Sequence, residues 1–312
     1  PLRILVLSDG KPGHYNQSLG IMDRVNFDET FSKSFSDVQM KIIEVDFKGK
    51  WRDDLLRVLT RLLSPAVIPR SLIKAMLSWA LESNSAKMVL EARKFDGILS
   101  TGSSVAAPNI LLRKLIGAKS VVCTRPSPMG IKPFHLAILP EHSRPRRVPK
   151  NAIMTLGVPN RITPELIKTA GTKLAQRLNL AERQVIGVLL GGDDRYYSIP
   201  PRMASALCDV LVDICQGSRI CTALTTSRRT NPDSENIIKS RMLGNPICCL
   251  LVLASEPQKE NPVPGILGIS DIAIVTEDSF SMVCEAASSG RKIIILETER
   301  KKNGHPKRQR VY

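Results

Sequence analysis

The sequence predicts an α/β protein with two Rossmann-like domains that face a cleft and contain parallel sheets. Two observations carry this prediction: short apolar strands alternate with amphipathic helices, and that alternation restarts near the middle of the chain. The 312 residues are about twice the length of a typical domain. Hydrophobic residues make up 43% and charged residues 24%, which excludes a disordered or fibrous chain.

Strands and helices alternate through the first half. Arg3–Leu7 is a short apolar strand, and a helix starts near Tyr15–Gln17 after a turn with two glycines. In the helix Asp53–Leu63 the leucines share one face and the charged residues another, before Pro65 ends it. The remaining predicted elements are the strands Val38–Phe47, Gly97–Ser100, Lys119–Thr124 and His135–Leu139, the helices Ser71–Leu81 and Ser85–Lys94, and a helix from the turn Thr101–Ser104 to about Ile116.

A linker-like stretch separates the two halves. Prolines alternate with basic residues in Ser143–Lys150, and Gly157-Val158-Pro159 is a further break. We therefore expect an N-terminal domain over residues 1–155 and a C-terminal domain over residues 156–312. The predicted elements of the second half are the helices Thr163–Leu178, Pro200–Cys215 and Ser234–Leu243, a turn and helix within Thr276–Gly290, and the strands Val185–Leu190, Ile220–Leu224, Ile247–Leu253, Asp271–Val275 and Lys292–Leu296.

Charge and cysteine content limit the possible functions. The chain has 45 Lys and Arg against 29 Asp and Glu, a formal charge of +16, which favours anionic partners. Aromatic residues make up only 4% and no recognition motif is present, so the sequence speaks against nucleic acid as a partner. The seven cysteines form no CxxC pair and the four histidines are scattered, so neither a disulfide framework nor a metal site is expected.

The turn after the first strand is one candidate site. In open α/β sheets, ligands bind beyond the carboxyl ends of the strands, which is where Ser8–His14 lies. An imidazole ordinarily titrates near neutral pH, so His14 is a candidate general base, and Asp9 is the second candidate. The alternative is that His14 only packs in the turn or caps the helix. The turn matches neither a dinucleotide fingerprint nor a P-loop.

Two turns of the second half are suited to phosphate binding. Gly191 and Gly192 offer backbone N–H groups, and Arg195 offers a cation. The loop after the strand Ile220–Leu224 supplies hydroxyls and two guanidiniums, of which we assign Ser227 and Arg228 to the ligand. One of the two neighbouring arginines in this loop is expected to be merely solvated.

A third turn of this half leads into a helix of small residues. Ser281, Glu285 and Ser289 recur at a spacing of four, on a different face from the apolar residues. Glu285 is a carboxylate among small residues, suited to accept both hydroxyls of a ribose. Ser279 fits either a helix cap, together with Asp278, or a ligand contact.

Several segments together resemble one family: DGKPGHYNQS, LPEH, TLGVPNRIT, LLGGDDRYYS, TSRRT and TEDSFSMVCEAASSG. Nearly the whole chain is similar to the glycosyltransferase family that includes the plant mitochondrial-fission factor and bacterial lipopolysaccharide outer-core glycosyltransferases. The resemblance implies a GT-B-like fold, an acceptor in the first domain, a nucleotide sugar in the second and no obligatory metal. It also implies that Glu285 binds the ribose, that Ser279 and Ser281 bind the diphosphate, and that His14 lies on the acceptor side.

GT-B chains usually close with helices that pack back onto the first domain. This sequence stops at Val311-Tyr312 after a basic run, so we expect the second domain to lack its last helices.

The expected function is transfer of a sugar from a nucleotide-diphosphate sugar to a lipid-linked or lipopolysaccharide acceptor, with inversion or retention left open. No cofactor besides the donor is expected. Two alternatives remain. One is a nucleotide-sugar epimerase on the same fold, with acid/base groups drawn from Asp9, Glu141, His142 and Asp193. The other is a non-enzymatic membrane adaptor of the mitochondrial-fission type.

The expected location is the cytoplasm, with peripheral attachment to an anionic membrane: the inner membrane in a bacterium, or the outer surface of the mitochondrion in a plant. No uncharged run reaches the roughly 18 residues that span a bilayer, and Leu2–Leu7 is too short for a secretory signal. Between Lys50 and Lys74, basic residues accompany Trp51 and several leucines, as in headgroup-bound helices. Because Asp53–Leu63 also fits a helix packed on its own sheet, we assign more of the membrane contact to Ser71–Leu81.

Overall fold

The computed structural model describes residues 1–27, 37–63, 67–180, 183–258 and 260–301. These residues form two compact units, Pro1–Arg161 and a second unit that begins at Ile162. The division lies later than the predicted one between residues 155 and 156. The reason is that Ala152–Thr155, which the sequence placed at the edge of a linker, pairs with the first sheet as its last strand.

The first unit is built on a parallel sheet of six strands with helices between them. In chain order the strands are β1 (Leu2–Ser8), β2 (Val38–Glu44), β3 (Gly97–Thr101), β4 (Lys119–Cys123), β5 (Leu136–Pro140) and β6 (Ala152–Thr155). Its helices are α1 (Pro12–Phe27), α2 (Lys50–Leu62), α3 (Arg70–Ala80), α4 (Ser83–Glu91) and α5 (Ala106–Ile116). The core lies between the sheet and these helices, where Leu5, Leu77 and Ile110 are completely buried.

The strand order of this sheet reverses next to β1. Strand β2 lies on one side of β1, and β3 lies on the other, followed by β4, β5 and β6. At such a point the loops leave toward opposite faces of the sheet, which opens a crevice beyond the carboxyl ends of the strands. The loops after Ser8 and Thr101 border this crevice.

The second unit has a parallel sheet of five strands. Its strands are β7 (Gln184–Leu189), β8 (Tyr197–Ser198), β9 (Ile220–Thr225), β10 (Cys248–Val252), β11 (Ile272–Thr276), β12 (Lys292–Leu296) and β13 (Glu299–Arg300), and its helices are α6 (Pro164–Leu178), α7 (Pro201–Cys215), α8 (Pro232–Met242), α9 (Val263–Ile269) and α10 (Phe280–Ser288). The sheet order is β10-β9-β7-β11-β12, while β8 and β13 form a separate antiparallel pair. The order therefore reverses between β7 and β11.

The predicted α/β class with two Rossmann-like parallel sheets is confirmed. Each of the ten predicted strands and nine predicted helices forms, with ends that differ by a few residues. Helix α9 was not predicted, because its two glycines lower helix propensity. The structure explains one of them: a Cβ at Gly268 would overlap the backbone of Gly171 in α6, so the glycine pair lets the two helices pack closely.

Helix α2 presents its apolar face to solvent, and this corrects the membrane assignment. Trp51, Leu55, Val58 and Leu62, here called the outer stripe, recur with helical spacing and are 59, 39, 39 and 73% exposed. The inward face instead carries Asp53, Leu56 and Thr60. Helix α3, which was expected to make more of the membrane contact, is a core helix that buries Ile73, Met76, Leu77 and Ala80. Within the described residues no helix is long and apolar enough to cross a membrane.

Candidate functional site

Asp9 and His14 form a hydrogen-bonded pair beyond the carboxyl end of β1. Both oxygens of the Asp9 carboxylate lie 3.0 Å from Nδ1 of His14, and the two side chains are 5 and 29% exposed. Burial raises the pKa of Asp9, but the hydrogen bonds and charges of His14 and Lys11 outweigh it and lower the pKa to about 2. Asp9 is therefore ionised at neutral pH, so Nδ1–H of His14 donates to it, and a neutral ring in this tautomer carries its proton acceptor at Nε2.

Helix α1 begins at Pro12, earlier than the predicted start at Tyr15–Gln17. Proline suits the first helical position, because its missing N–H has no partner there and its φ is already helical. His14 therefore lies in the first turn of α1, and its ring contacts Asp9 rather than a backbone group at the helix end. Because the backbone of His14 is part of α1, the point from which its side chain extends toward the crevice is fixed by the helix.

The loop after β3 lies directly against the imidazole. A Cβ at Gly102 would overlap the ring of His14, and Gly102 has a φ of 89°, a conformation that L side chains rarely adopt. One residue earlier, Oγ1 of Thr101 lies 2.7 Å from Oγ of Ser18, which joins the loop to α1. From the sequence this loop is only a small-residue turn. Its role follows from the strand order, which puts β3 beside β1.

In the second unit, the loops after β7 and β11 are hydrogen-bonded to each other at the switch point. The N–H of Gly191 donates to Oγ1 of Thr276 at 2.7 Å, and the N–H of Gly192 donates to Oδ2 of Asp278 at 2.8 Å. The prediction that these N–H groups are offered to a phosphate is therefore wrong. The glycines serve close packing: a Cβ at Gly191 would overlap the carboxylate of Asp278, and one at Gly192 would overlap the backbone of Arg229.

Asp278 is the buried centre of this arrangement. Its Oδ2 also accepts a hydrogen bond from Nη2 of Arg229 at 2.8 Å. Burial raises the pKa of Asp278 more than the hydrogen bonds from Gly192, Thr276 and Arg229 lower it. Of the two interpretations of Ser279, the helix cap is excluded, because that side chain makes no capping hydrogen bond at the start of α10.

The neighbouring arginines of the loop after β9 have different roles. Arg229 donates to Asp278 and to the carbonyl of Gly192, so it is a structural residue rather than a solvated one. Arg228 is exposed and has no hydrogen-bond or ion-pair partner among the described residues, which leaves its guanidinium available. The Ser227 hydroxyl accepts from the N–H of Arg229 at 3.2 Å and shapes the loop, and Arg195 is exposed over the ring of Tyr196.

Glu285 is a buried carboxylate on α10. The residue is 8% exposed, and no hydrogen-bond donor within the described chain contacts its carboxylate. Burial alone raises the pKa of Glu285 to about 7. Ser281 lies one turn earlier on the same face, in the first turn of the helix, where backbone N–H groups have no partner within the helix. Ser289 is separate from this face, because its hydroxyl donates to the carbonyl of Ala286.

Glu235 is a structural carboxylate that the sequence analysis did not single out. Its Oε1 accepts from Oγ1 of Thr226 at 2.5 Å and from the N–H of Ala254 at 3.1 Å, which ties together the loops after β9 and β10. Burial raises its pKa, but hydrogen bonds, including those from Ser255 and Thr226, outweigh it and lower the pKa. Periodicity gives no signal for this residue, because its partners are distant in sequence.

Two groups of the epimerase alternative are held in structural bonds. Asp193 accepts from the N–H of Ile199 and lies 3.3 Å from Nζ of Lys301, and Glu141 lies 2.5 Å from Nε of Arg144. A separate open groove of about 660 Å³ lies at the amino end of β7, away from the switch point. Its arginines, Arg183 and Arg291, donate to backbone carbonyls.

Similar proteins share the fold of this chain. The UDP-GlcNAc 2-epimerase from Neisseria meningitidis, bound to UDP-GlcNAc, aligns with a TM-score of 0.54 at 15% identity, covering 99% of this chain and 85% of that one. S. aureus MnaA, in a co-structure with UDP, aligns with a TM-score of 0.53 at 12% identity, covering 96 and 80%. At such identities the alignments establish the predicted GT-B-like fold and nothing about the ligand.

The family is shown by sequence. A curated relative, the uncharacterized protein RP120 of Rickettsia prowazekii (strain Madrid E), is 29% identical over 118 residues, which are 36% of this chain and 32% of the relative. The chain thus matches only about a third of that relative's length. The family described as Mitochondrial fission ELM1 matches residues 12–311, which include the second switch point and, at the first, His14 but not Asp9. The protein belongs to the mitochondrial fission ELM1 family.

Proposed function

We propose that this protein is a glycosyltransferase that moves a sugar from a nucleotide-diphosphate sugar to a lipid-linked or lipopolysaccharide acceptor at the cytoplasmic face of a membrane. Glu285 is the observation that carries the proposal. A carboxylate buried without a hydrogen-bond donor in the described chain is costly, and such groups occur where a ligand supplies the missing partners. The two hydroxyls of a ribose are donors of that kind.

The donor binds at the switch point of the second unit in this proposal. The ribose hydroxyls donate to Glu285, and the diphosphate lies against Ser279, Ser281 and the N-terminus of α10, where the helix dipole favours negative charge. Arg228 supplies a free guanidinium for the leaving diphosphate. These groups stabilise the leaving group without a metal ion or a further cofactor.

The acceptor binds at the switch point of the first unit. Nε2 of His14 takes the proton of the acceptor hydroxyl, while Asp9 holds the ring and stabilises the imidazolium that forms. The acceptor oxygen forms the new bond to the anomeric carbon, and the bond from that carbon to the diphosphate oxygen breaks. We expect His14→Ala to lower turnover more than nucleotide affinity, because the residue faces the acceptor.

Calorimetric titration with UDP tests the donor site. Wild type is expected to bind, Glu285→Gln to bind at least tenfold more weakly because the ribose hydroxyls lose a charged acceptor, and the exposed control Glu297→Gln to bind like wild type. CMP and GDP are titrated in parallel, since the base is not specified by these residues. Equal failure of wild type and variant with all three nucleotides would remove the main support for the proposal.

The outer stripe of α2 supports the membrane part of the proposal. Arg52 lies 5.1 Å from the ring centroid of Trp51 and 5.2 Å from that of Trp79, so its charge stacks beside the exposed Trp51. Lys50 is exposed on the same helix, and Arg70 and Lys74 are exposed on α3, the next helix of the chain. An apolar helix face with basic residues at its border is typical of a helix bound among anionic headgroups.

Co-sedimentation with phosphatidylglycerol vesicles at low and high salt tests this surface. We expect salt-sensitive binding that Leu62→Glu abolishes and that the control Leu243→Glu, an equally large change at a leucine 63% exposed in the second unit, leaves intact. Arg57 is unsuitable for this test, because it is a buried ion-pair partner of Asp53. Binding that ignores lipid charge would contradict the assignment.

The family membership and the exposed stripe also favour a second candidate, a membrane adaptor without catalysis. An adaptor of this kind has no need of a ribose-binding carboxylate. The same experiments separate the two functions: vesicle binding without any nucleotide binding is the result expected of the adaptor, whereas the glycosyltransferase binds both. An epimerase would instead convert a nucleotide sugar without any acceptor, which product analysis detects.

A further inference from the structure

Helix α2 is attached to the loop after β4 by two arginines. Nη1 of Arg57 donates to the carbonyl of Ser127 at 2.7 Å, and Nη1 of Arg61 donates to the carbonyl of Pro128 at 3.0 Å. Arg57 is 13% exposed, and its Nε donates to Asp53 at 2.8 Å, so the guanidinium is held from both sides. A planar fork bound in this way moves together with its helix.

The same loop is attached to the loop that supports His14. The N–H of Ser127 donates to Oγ of Ser103 at 3.0 Å. Ser103 directly follows Gly102, against which the imidazole of His14 lies. Met129, two residues after Ser127, is buried in the core and anchors the middle of the loop. A short chain of hydrogen bonds thus runs from α2 to the loop beneath the candidate base.

The outer stripe lies on the face of the same helix next to the one that carries Arg57 and Arg61. We infer that Arg57 and Arg61 are positioning residues that couple contact of the outer stripe with an anionic lipid surface to the geometry of the loops around His14. This inference rests on the proposed membrane attachment and on the proposed role of His14. It assigns to the membrane a regulatory effect on the acceptor site, in addition to attachment.

The proposed coupling requires that α2 takes a different position on a lipid surface from the one it has in water. In water the stripe exposes Trp51 and Leu62, so nothing on that side favours one orientation of the helix. Among headgroups the apolar side chains favour the orientation that buries them. Lipid shifts the population of helix positions according to its different affinities for those positions. Because Arg57 and Arg61 are bonded to the carbonyls of Ser127 and Pro128, a shift of α2 is transmitted to the loop.

Hydrogen–deuterium exchange of the full chain, with and without phosphatidylglycerol vesicles, tests the coupling. We expect vesicles to slow exchange at residues 101–104 and 124–131 at least fivefold in wild type. Arg61→Ala is expected to bind vesicles, as read from co-sedimentation, but to lose the slowing in both loops. The matched control Arg70→Ala removes the same charge from the same region without a bond to the loop and is expected to keep it.

Vesicles are kept saturating, because loss of one basic residue weakens lipid binding about fivefold. Equal slowing in Arg61→Ala and Arg70→Ala would overturn the coupling. Arg57→Lys, which keeps a charge beside Asp53 but lacks the fork, is expected to behave like Arg61→Ala, and unchanged slowing there would also contradict it. Absence of vesicle binding by wild type would overturn the inference, while UDP titration of the same sample reports separately on the glycosyltransferase proposal.

Discussion

Glu285 is a residue at which binding and stability oppose each other. Its carboxylate lies in an environment that disfavours charge, since burial raises the pKa from the ordinary 4.5 to about 7, so that it is only partly ionised near neutral pH. A shift of this size corresponds to roughly 3 kcal/mol against folding once the group is ionised in both states. Well below pH 4.5, Glu285 is protonated in both the folded and the unfolded protein, so this cost in folding free energy is absent. The cost grows as the pH rises above 4.5 and is complete above pH 7.

We therefore expect Glu285→Gln to stabilise the protein by about 3 kcal/mol at pH 8 and by much less at pH 5, because the amide removes the buried charge. Urea unfolding at both pH values measures the difference, with Glu297→Gln as the exposed control. The same variant binds UDP more weakly. A stability gain that does not depend on pH would show that ionisation of Glu285 is not the cause.

Gly102 decides whether His14 can occupy its position. We expect Gly102→Ala to displace the imidazole and to lower turnover about as much as His14→Ala does, while UDP affinity stays within twofold of wild type. The variant also places a side chain at a φ of 89°, which destabilises the fold by about 1–3 kcal/mol.

Gly117→Ala is the matched control for this variant. Gly117 has a φ of 78°, yet a Cβ there meets nothing within 4 Å, so it carries the backbone strain without the overlap. Equal turnover of Gly102→Ala and Gly117→Ala would mean that the contact with His14 does not matter. Enzyme assays and urea unfolding of the same preparations separate the two effects.

At the scale of elements, Asp278 holds the loops of the second switch point together. The backbone N–H groups of these glycine loops are bonded within the protein and are not free for a ligand. Gly191, Gly192 and Arg229 all pack against or bond to the loop that contains this carboxylate. The loops after β7, β9 and β11 therefore form one hydrogen-bonded cluster before any ligand binds. Such preorganisation lowers the entropic cost of binding, because the loops are already ordered.

Two adjacent arginines give a paired prediction for these loops. Arg229→Ala removes the guanidinium from buried Asp278 and is expected to destabilise the protein by about 2–3 kcal/mol. Arg228→Ala is expected to change stability by less than about 0.5 kcal/mol, because the side chain is exposed, and to weaken UDP binding roughly tenfold. Unfolding and titration of both variants test the assignment, and the reverse pattern would exchange the two roles.

At the scale of the whole molecule, each unit has a hydrophobic core of its own. One core contains Leu5, Leu77 and Ile110 of the first unit, and others contain Leu189 and Leu211 of the second. Ligands that bind one unit therefore need not stabilise the other directly. This separation makes it possible to ask which unit binds the nucleotide.

UDP at 100 times its dissociation constant is expected to stabilise the second unit by about 2.7 kcal/mol. Hydrogen–deuterium exchange is expected to show the protection at residues 225–230 and 276–286, with Glu285→Gln as the control that lacks it. Protection confined to residues 1–161 would place nucleotide binding in the wrong unit and contradict the proposed division of labour.

The sequence was sufficient for the elements and for the family. Periodicity located every predicted strand and helix, because buried faces impose spacings of two and about four on apolar residues. It failed at α9, where glycine serves helix packing, at β6, an edge strand with one paired neighbour and a half-exposed Ile153, and at the two-residue strands β8 and β13, which are too short to show a period. It also placed Asp9 and His14 after β1 and Glu285 on the helix after β11, and these two strands lie at the switch points of their sheets.

Only the tertiary structure decided which groups are available for binding. The N–H groups of Gly191 and Gly192 donate to residues that are distant in sequence. Another long-range contact, with Asp278, separates the role of Arg229 from that of Arg228, and the fold places Gly102 against His14. The tertiary structure also determines that the apolar stripe of α2 faces outward. A helical sequence pattern specifies an apolar face but not which neighbour that face contacts. Periodicity is a local property of the chain, whereas hydrogen-bond partners and burial depend on strand order, which brings together loops that the sequence keeps far apart.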